Sequence, residues 1–205
     1  MKRLSAALLA FTLCLPATSW AVGLSYGVRA GGGIAFLSDE AAKGGDSKGK
    51  TDYVSVSPPF AAGLGVNLDL ALLDVEVDAL YWHHTYTYDV PVVAEFEATE
   101  ARLAFPVLVR VGIPLVPLLS LGAGLEPRFL LSAGSDDNDK LDDDAFESLV
   151  LYLPILLGVD LDLSVIELRV EARFELQLTN HLSSDVKNPD DQRIHEGMLF
   201  AGVFF

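Results

Sequence analysis

Val165-Ile166-Glu167-Leu168-Arg169-Val170-Glu171-Ala172-Arg173-Phe174-Glu175-Leu176-Gln177-Leu178 is the stretch that decides the fold. From Glu167 to Gln177 every second residue is charged or polar: Glu167, Arg169, Glu171, Arg173, Glu175 and Gln177. Ile166, Leu168, Val170, Ala172, Phe174, Leu176 and Leu178 between them are all apolar. A helix, with its period of 3.6, would spread these charges around its circumference. A strand, with a period of two, puts all of them on one face and all the apolar side chains on the other.

The same alternation recurs along the chain. Phe60, Ala62, Leu64, Val66, Leu68 and Leu70 alternate with Ala61, Gly63, Gly65, Asn67 and Asp69. Val75, Val77, Ala79 and Tyr81 alternate with Asp74, Glu76, Asp78 and Leu80. Ala101, Leu103, Phe105, Val107, Val109 and Val111 alternate with Arg102, Ala104, Pro106, Leu108 and Arg110. Leu121, Ala123 and Leu125 stand against Gly122, Gly124, Glu126 and Arg128, and Leu153, Ile155, Leu157, Val159 and Leu161 against Pro154, Leu156, Gly158, Asp160 and Asp162. The last segment sets Leu199, Ala201, Val203 and Phe205 on one face and Gly202 on the other. Leu24 to Leu37 is interrupted by Gly31-Gly32-Gly33 and is read as a strand because a closed barrel of this kind has an even number of them. Eight strands result, near 23–37, 55–70, 73–88, 96–112, 118–133, 147–162, 165–180 and 195–205. Their connections alternate between short (71–72, 113–117, 163–164) and long and polar (38–54, 89–95, 134–146, 181–194), the layout of an up-and-down transmembrane barrel.

Composition agrees. Apolar residues make up 51% of the 205 residues and mean hydropathy is +0.36, yet no unbroken apolar run reaches the roughly 20 residues of a membrane helix. The greasiest stretch, Val111 to Leu125, is broken by Gly112, Pro114, Pro117, Gly122 and Gly124. At the N-terminus, Lys2 and Arg3, the apolar run Leu4 to Leu15 and the small residues of Ser19-Trp20-Ala21 read as a signal peptide cut before Val22. The expected organisation is a signal peptide over 1–21 and one barrel domain over 22–205. Cys14, the one cysteine, would leave with the signal, so neither disulfides nor thiolate metal sites are expected. Formal net charge is −15; residues 1–21 carry two positive charges and no negative ones, so the remainder stands at −17. A basic nucleic-acid surface is excluded on that ground.

Which face points outward is decided at the C-terminus. The chain ends on Phe205 with apolar residues at every second position before it, which suits an apolar face turned to lipid and a charged face turned inward. Met198-Leu199-Phe200-Ala201-Gly202-Val203-Phe204-Phe205, the Arg102-to-Arg110 strand with its internal Pro106, the Gly122-Ala123-Gly124-Leu125 strand and the Ile166-to-Asn180 strand together resemble the small Gram-negative outer-membrane β-barrel family. That family includes the OmpA transmembrane domain, OmpX and PorT-like proteins. The resemblance covers the whole chain after the signal. It implies an all-β, eight-stranded antiparallel transmembrane barrel in the outer membrane. It also implies contact with outer-membrane lipid and lipopolysaccharide, assembly by the barrel-assembly machinery, and an assembly signal in Leu199, Ala201, Val203 and Phe205. The sequence shows no periplasmic domain after Phe205, so peptidoglycan anchoring is not expected. Such barrels host adhesins, anchors, small pores and a few lipid enzymes, so the likeness guides architecture and not activity.

The inward ladder is the first candidate site: Asp74, Glu76, Asp78, Arg102, Arg110, Glu126, Arg128, Asp160, Asp162, Glu167, Arg169, Glu171, Arg173 and Glu175. An eight-stranded barrel is only wide enough for its side chains to fill it, and charges removed from water must pair. A salt-bridged plug is expected; the alternative is a narrow path for ions or small solutes, cation-favouring because acids outnumber bases. The acidic loop from Ser135 to Asp144 is read as a solvated outside loop. Its alternative, weak divalent-cation binding, lacks EF-hand spacing. His83 and His84, among Tyr81, Trp82, Tyr86 and Tyr88, are read as an aromatic girdle, and as adjacent strand residues they face opposite ways, which argues against a metal pair. His181 and Ser183 with Glu196 offer the ingredients of a lipid A acyl hydrolase. The alternation turns His181 and Ser183 inward, away from a lipid substrate, and Ser184 stands where an Asn is expected, so no catalytic residue is assigned. His195 is read as a rim residue. No cofactor is implied, and Gly31-Gly32-Gly33 lacks the following helix of a phosphate loop and marks bending or close packing. The expected role is structural or surface interaction through the outside loops, with no surface ligand legible.

Overall fold

A computed structural model describes residues 23–37, 52–70, 73–90, 94–135, 146–181 and 193–205. The proposed signal peptide, the acidic loop from Asp136 onward, Ser183 and most of the long connections lie outside them. Ten extended segments follow in order: β1 (Gly23–Leu37), β2 (Asp52–Val56), β3 (Phe60–Asp69), β4 (Asp74–Val90), β5 (Ala94–Ala104), β6 (Val107–Ile113), β7 (Val116–Ser135), β8 (Leu149–Asp162), β9 (Glu167–Gln177) and β10 (Ile194–Phe204). No helix occurs among the described residues.

Ten segments make eight staves. Proline has no N–H to give to a ladder, so Pro58 and Pro59 separate β2 from β3, and Pro106 separates β5 from β6. The chain still runs straight through both breaks. Gly33 N donates to Pro59 O at 3.0 Å, Asp78 N to Pro106 O at 3.0 Å and Phe105 N to Pro127 O at 2.9 Å. Every stave is antiparallel to its neighbours, and β1 pairs with β10 from Gly27↔Phe204 to Leu37↔Ile194, which closes the ring. Tyr26 and Phe205 extend this seam with two further backbone bonds, 3.2 and 2.9 Å.

The register fixes the shape. Followed across the ladders, Phe129 leads to Leu103, Tyr81, Ala62, Ala30, Ala201, Val170 and Val159 in turn. The path returns to β7 at Leu119, ten residues from its start. Eight strands with a shear of ten tilt by about 40° at ordinary strand spacings. This is the narrow end of barrel sizes, where side chains and not water occupy the middle.

Three tight connections sit at one end. Leu70 N bonds Leu73 O at 2.9 Å, residues 114–115 turn between β6 and β7, and Leu163 N bonds Ile166 O at 2.9 Å. In the last of these Ser164 adopts φ of 70°, held by a bond from its N–H to Asp162 Oδ1 at 2.8 Å. The two-residue code then sorts the side chains. Leu24, Val28, Leu64, Val109, Leu121, Ile155, Leu157, Val170 and Leu199 are exposed on the outer wall, while the alternate positions are buried. The barrel is inside-out relative to a soluble protein, and an apolar belt of this extent calls for apolar surroundings.

The triple glycine has a packing reason. A Cβ on Gly31 would lie 2.5 Å from the Phe200 ring, one on Gly27 2.8 Å from the Phe204 ring, and one on Gly33 2.0 Å from Gly197 O. Apart from Arg29, the lumen side of β1 from Gly27 to Gly33 carries no side chain, and Phe204, Phe200 and Met198 of β10 take up that space. Gly32, on the outer face, meets only Pro59 O at 3.5 Å.

Candidate functional site: a charged lumen in two layers

The inward charges gather in two layers. In the lower one, toward the tight turns, Glu76 of β4 is met by four guanidinium groups from three staves. Arg29 Nη1 lies 2.7 Å from its Oε1, Arg173 Nη2 3.2 Å from the same atom and Arg110 Nη1 3.2 Å from its Oε2, with Arg169 also in contact. Arg110 continues to Asp160 (2.9 and 3.1 Å) and to Ser120 Oγ (2.7 Å), and it pairs with Glu171. Arg29 reaches Asp78 at 2.9 Å and Glu171 at 3.2 Å; Arg173 reaches Glu171 at 2.8 Å. Arg169 reaches Asp160 at 3.0 Å and Glu167 at 2.6 Å. The inward aromatics of the last strand pack against this layer: Arg29 and Arg169 stack on Phe204 at 5.3 and 4.5 Å, and Arg173 on Phe200 at 4.6 Å.

The upper layer is built around Arg128 of β7. Its guanidinium is sandwiched between the rings of Trp82 at 3.6 Å and Tyr152 at 3.7 Å. Its Nη1 donates to both oxygens of Glu196, at 3.0 and 2.9 Å, its Nε donates to Glu126, and its Nη2 lies 3.9 Å from Glu175. His84 lies 3.2 Å from Glu196. Above it, Arg102 pairs with Glu100 and donates to Glu147 O at 3.0 Å. His181 Nε2 lies 3.2 Å from Glu100, and Glu147 N donates to His181 O at 3.1 Å. Phe146 packs edge-on against His181 with centroids 5.9 Å apart, so residues from two different long connections meet above the upper layer.

The ladder read from the sequence falls into this arrangement as follows. Glu76, Asp78, Arg110, Arg169, Glu171 and Arg173 meet in the lower layer, and Glu126, Arg128, Arg102 and Glu175 in the upper. Asp160 and Glu167 are half-buried at the lower mouth, where they bind arginines. Asp74 is half-buried there, opposite Arg110 in register, and Asp162 is exposed and holds the turn. Leu199, Ala201 and Val203 stand on the outer face of β10, and Phe205, directly after it, is exposed on the same side.

Arg29, Glu100, His84 and Glu196 also line the lumen but were absent from that ladder. Alternation around Arg29 (Tyr26, Val28 and Ala30 against it) carried the signal, but the glycine run obscured it. The aromatic girdle needs correction. Only Tyr81 and His83 face outward, clustered with Phe60 at 6.2 and 5.4 Å; Trp82 and His84 are buried in the lumen because the strand period sends them the other way. Side chains of Tyr86 and Tyr88 lie outside the description. His181 and Glu196 are both buried in the interior, His181 against Glu100, an arrangement that offers nothing to a lipid outside. His195 is half-buried near the rim and accepts a bond from Gln177 N at 3.2 Å. Among the described residues no cluster of side chains suited to a metal ion occurs.

Neither a family model nor a curated protein sequence matches the chain. Among solved structures it is similar to the outer membrane protein OprG from Pseudomonas aeruginosa. There the TM-score is 0.52 at 14% identity, over 89% of this chain and 95% of OprG. It is also similar to Neisserial surface protein A, with a TM-score of 0.49 at 16% identity over 89% and 97% of the two chains. The OprG likeness shows a shared fold: a closed antiparallel eight-stranded barrel.

Proposed function

We propose that this chain is an outer-membrane β-barrel whose lumen is a structural plug and whose interactions are made by its outside connections. The carrying observation is that Glu76, Arg110, Glu126, Glu175 and Glu196 have none of their surface open to water. A continuous water path along the axis would expose some of them. The placement rests on the apolar outer wall, which water would not tolerate, together with the signal-peptide reading of residues 1–21. The acyl chains and headgroups of the outer leaflet, lipopolysaccharide included, are the neighbours such a wall and rim would meet. Leu199, Ala201, Val203 and Phe205 are proposed as the strand the barrel-assembly machinery reads, since they form an unbroken apolar face at the closing seam.

Conductance of the refolded protein in planar lipid bilayers tests the plug. Silence over many verified insertions is expected. Steady ohmic steps would overturn the plug and establish the narrow-channel reading, with cations favoured because four glutamates face two arginines in the upper layer.

A further inference from the structure

The outer wall is not evenly bulky. Where β3, β1 and β10 run side by side, the register sets Ala62, Ala30 and Ala201 in one row. Val28, Val203, Leu168 and Val170 stand around that row, and the wall is indented there by an apolar groove of about 590 Å³. Its depth in the membrane follows from the aromatic residues on either side. Tyr26 and Phe205, 6.3 Å apart, lie toward the tight turns. Phe60, Tyr81 and His83 cluster toward the outer end. Gly32, the register partner of Phe60, is six residues along β1 from Tyr26, or roughly 20 Å of strand. Aromatic girdles mark the two interfaces of a barrel, so the groove opens into hydrocarbon.

The groove cannot close by local relaxation. Its floor includes the backbone of Arg29 and Arg169, whose side chains pass to the other side of the wall and are fixed there by Glu76 and Glu171. A void beside a rigid wall loses dispersion contacts, and in lipid it is packing, not expulsion of water, that drives association. Its occupant must therefore be wholly apolar, slender and supplied from within the bilayer. A second copy of the chain does not meet these terms, because a two-fold axis would lay trough against trough.

We propose that this groove seats one acyl chain of a bilayer lipid in a fixed position, in contrast to the sliding annular lipid over the rest of the wall. The inference rests on the membrane placement proposed above. The test uses the protein refolded into vesicles of phosphatidylethanolamine and phosphatidylglycerol with a trace of phosphatidylcholine carrying a diazirine at the middle of one acyl chain. After photolysis, adducts at Val28, Ala30, Ala201 and Val203 are expected several-fold above those at Val109, Leu121 and Ile155 on the other side of the barrel. Ala30→Leu/Ala201→Leu, or Ala62→Leu alone if the pair fails to fold by unboiled gel migration, should reduce the groove adducts to the level of the far wall. Even labelling around the wall, labelling unchanged by the substitutions, or barrel-to-barrel adducts at the alanines would overturn the proposal and leave the membrane placement standing. No adduct at any outward position would overturn the placement as well.

Discussion

Glu76 is the residue on which most of the lower layer converges, and Arg110 is its best-connected partner, with bonds to β4, β7, β8 and β9. Removing one partner from a buried ionic network leaves the others uncompensated, at about 3–5 kcal/mol. Arg110→Ala should therefore lower the urea-unfolding free energy in vesicles by about that amount. Arg110→Met combined with Glu76→Gln should recover part of the loss. Equal destabilisation by the single and the double change would show that the pairs do not act together. The glycines make a sharper residue-scale contrast. Gly33→Ala sets a Cβ 2.0 Å from a backbone oxygen, whereas the outward Gly32→Ala meets its nearest atom at 3.5 Å. The first should destabilise by about 1–3 kcal/mol and the second by less, read from the temperature at which the unboiled gel band is lost. Which residues point inward was legible, because alternation alone dictates it. Which of them meet was not: Arg29 and Glu76 are separated by much sequence, and only the register of β1, β3 and β4 brings them together.

At the scale of elements, strand number and the position of each tight turn were readable from the period-two runs and their breaks. The splitting of two staves at Pro58-Pro59 and Pro106 follows from the missing proline N–H, and the carbonyls of Pro59 and Pro106, which still accept from Gly33 N and Asp78 N, keep the ladder continuous across both breaks. Strand ends were harder, since β4 and β7 extend as Asp74–Val90 and Val116–Ser135, past any change in hydrophobic pattern. The turn between β8 and β9 holds Ser164 at positive φ, a conformation that costs a non-glycine residue about 1 kcal/mol. Ser164→Gly keeps the N–H that Asp162 accepts and relieves that cost, so it should stabilise the barrel by about 0.5–1 kcal/mol. Ser164→Val should destabilise it. If glycine gave no gain in urea midpoint, the left-handed turn would be contradicted.

At the scale of the whole molecule, the described residues form a small closed wall around a charged filling, with an apolar exterior and the three tight turns at one end. Eight staves with a shear of ten give a lumen that Arg128, Trp82, Tyr152, Phe200 and Phe204 can obstruct. The architecture was legible because the hydrophobic period, the connection lengths and the terminal aromatic all pointed the same way. The role of the outside connections was not, since their sequences carry neither periodicity nor a recognisable motif. The central claim is that the apolar face meets lipid and the charged face meets itself. Trp82 is the only tryptophan after residue 21 and lies inside the lumen, so it serves as an internal reference. Refolded without residues 1–21 in vesicles of lipids brominated along their acyl chains, Trp82 fluorescence should be only weakly quenched. In a Trp82→Phe background, tryptophan placed at Val170 or Ala172 should be strongly quenched. Strong quenching of Trp82 with tryptophans at 170 and 172 untouched would contradict the account.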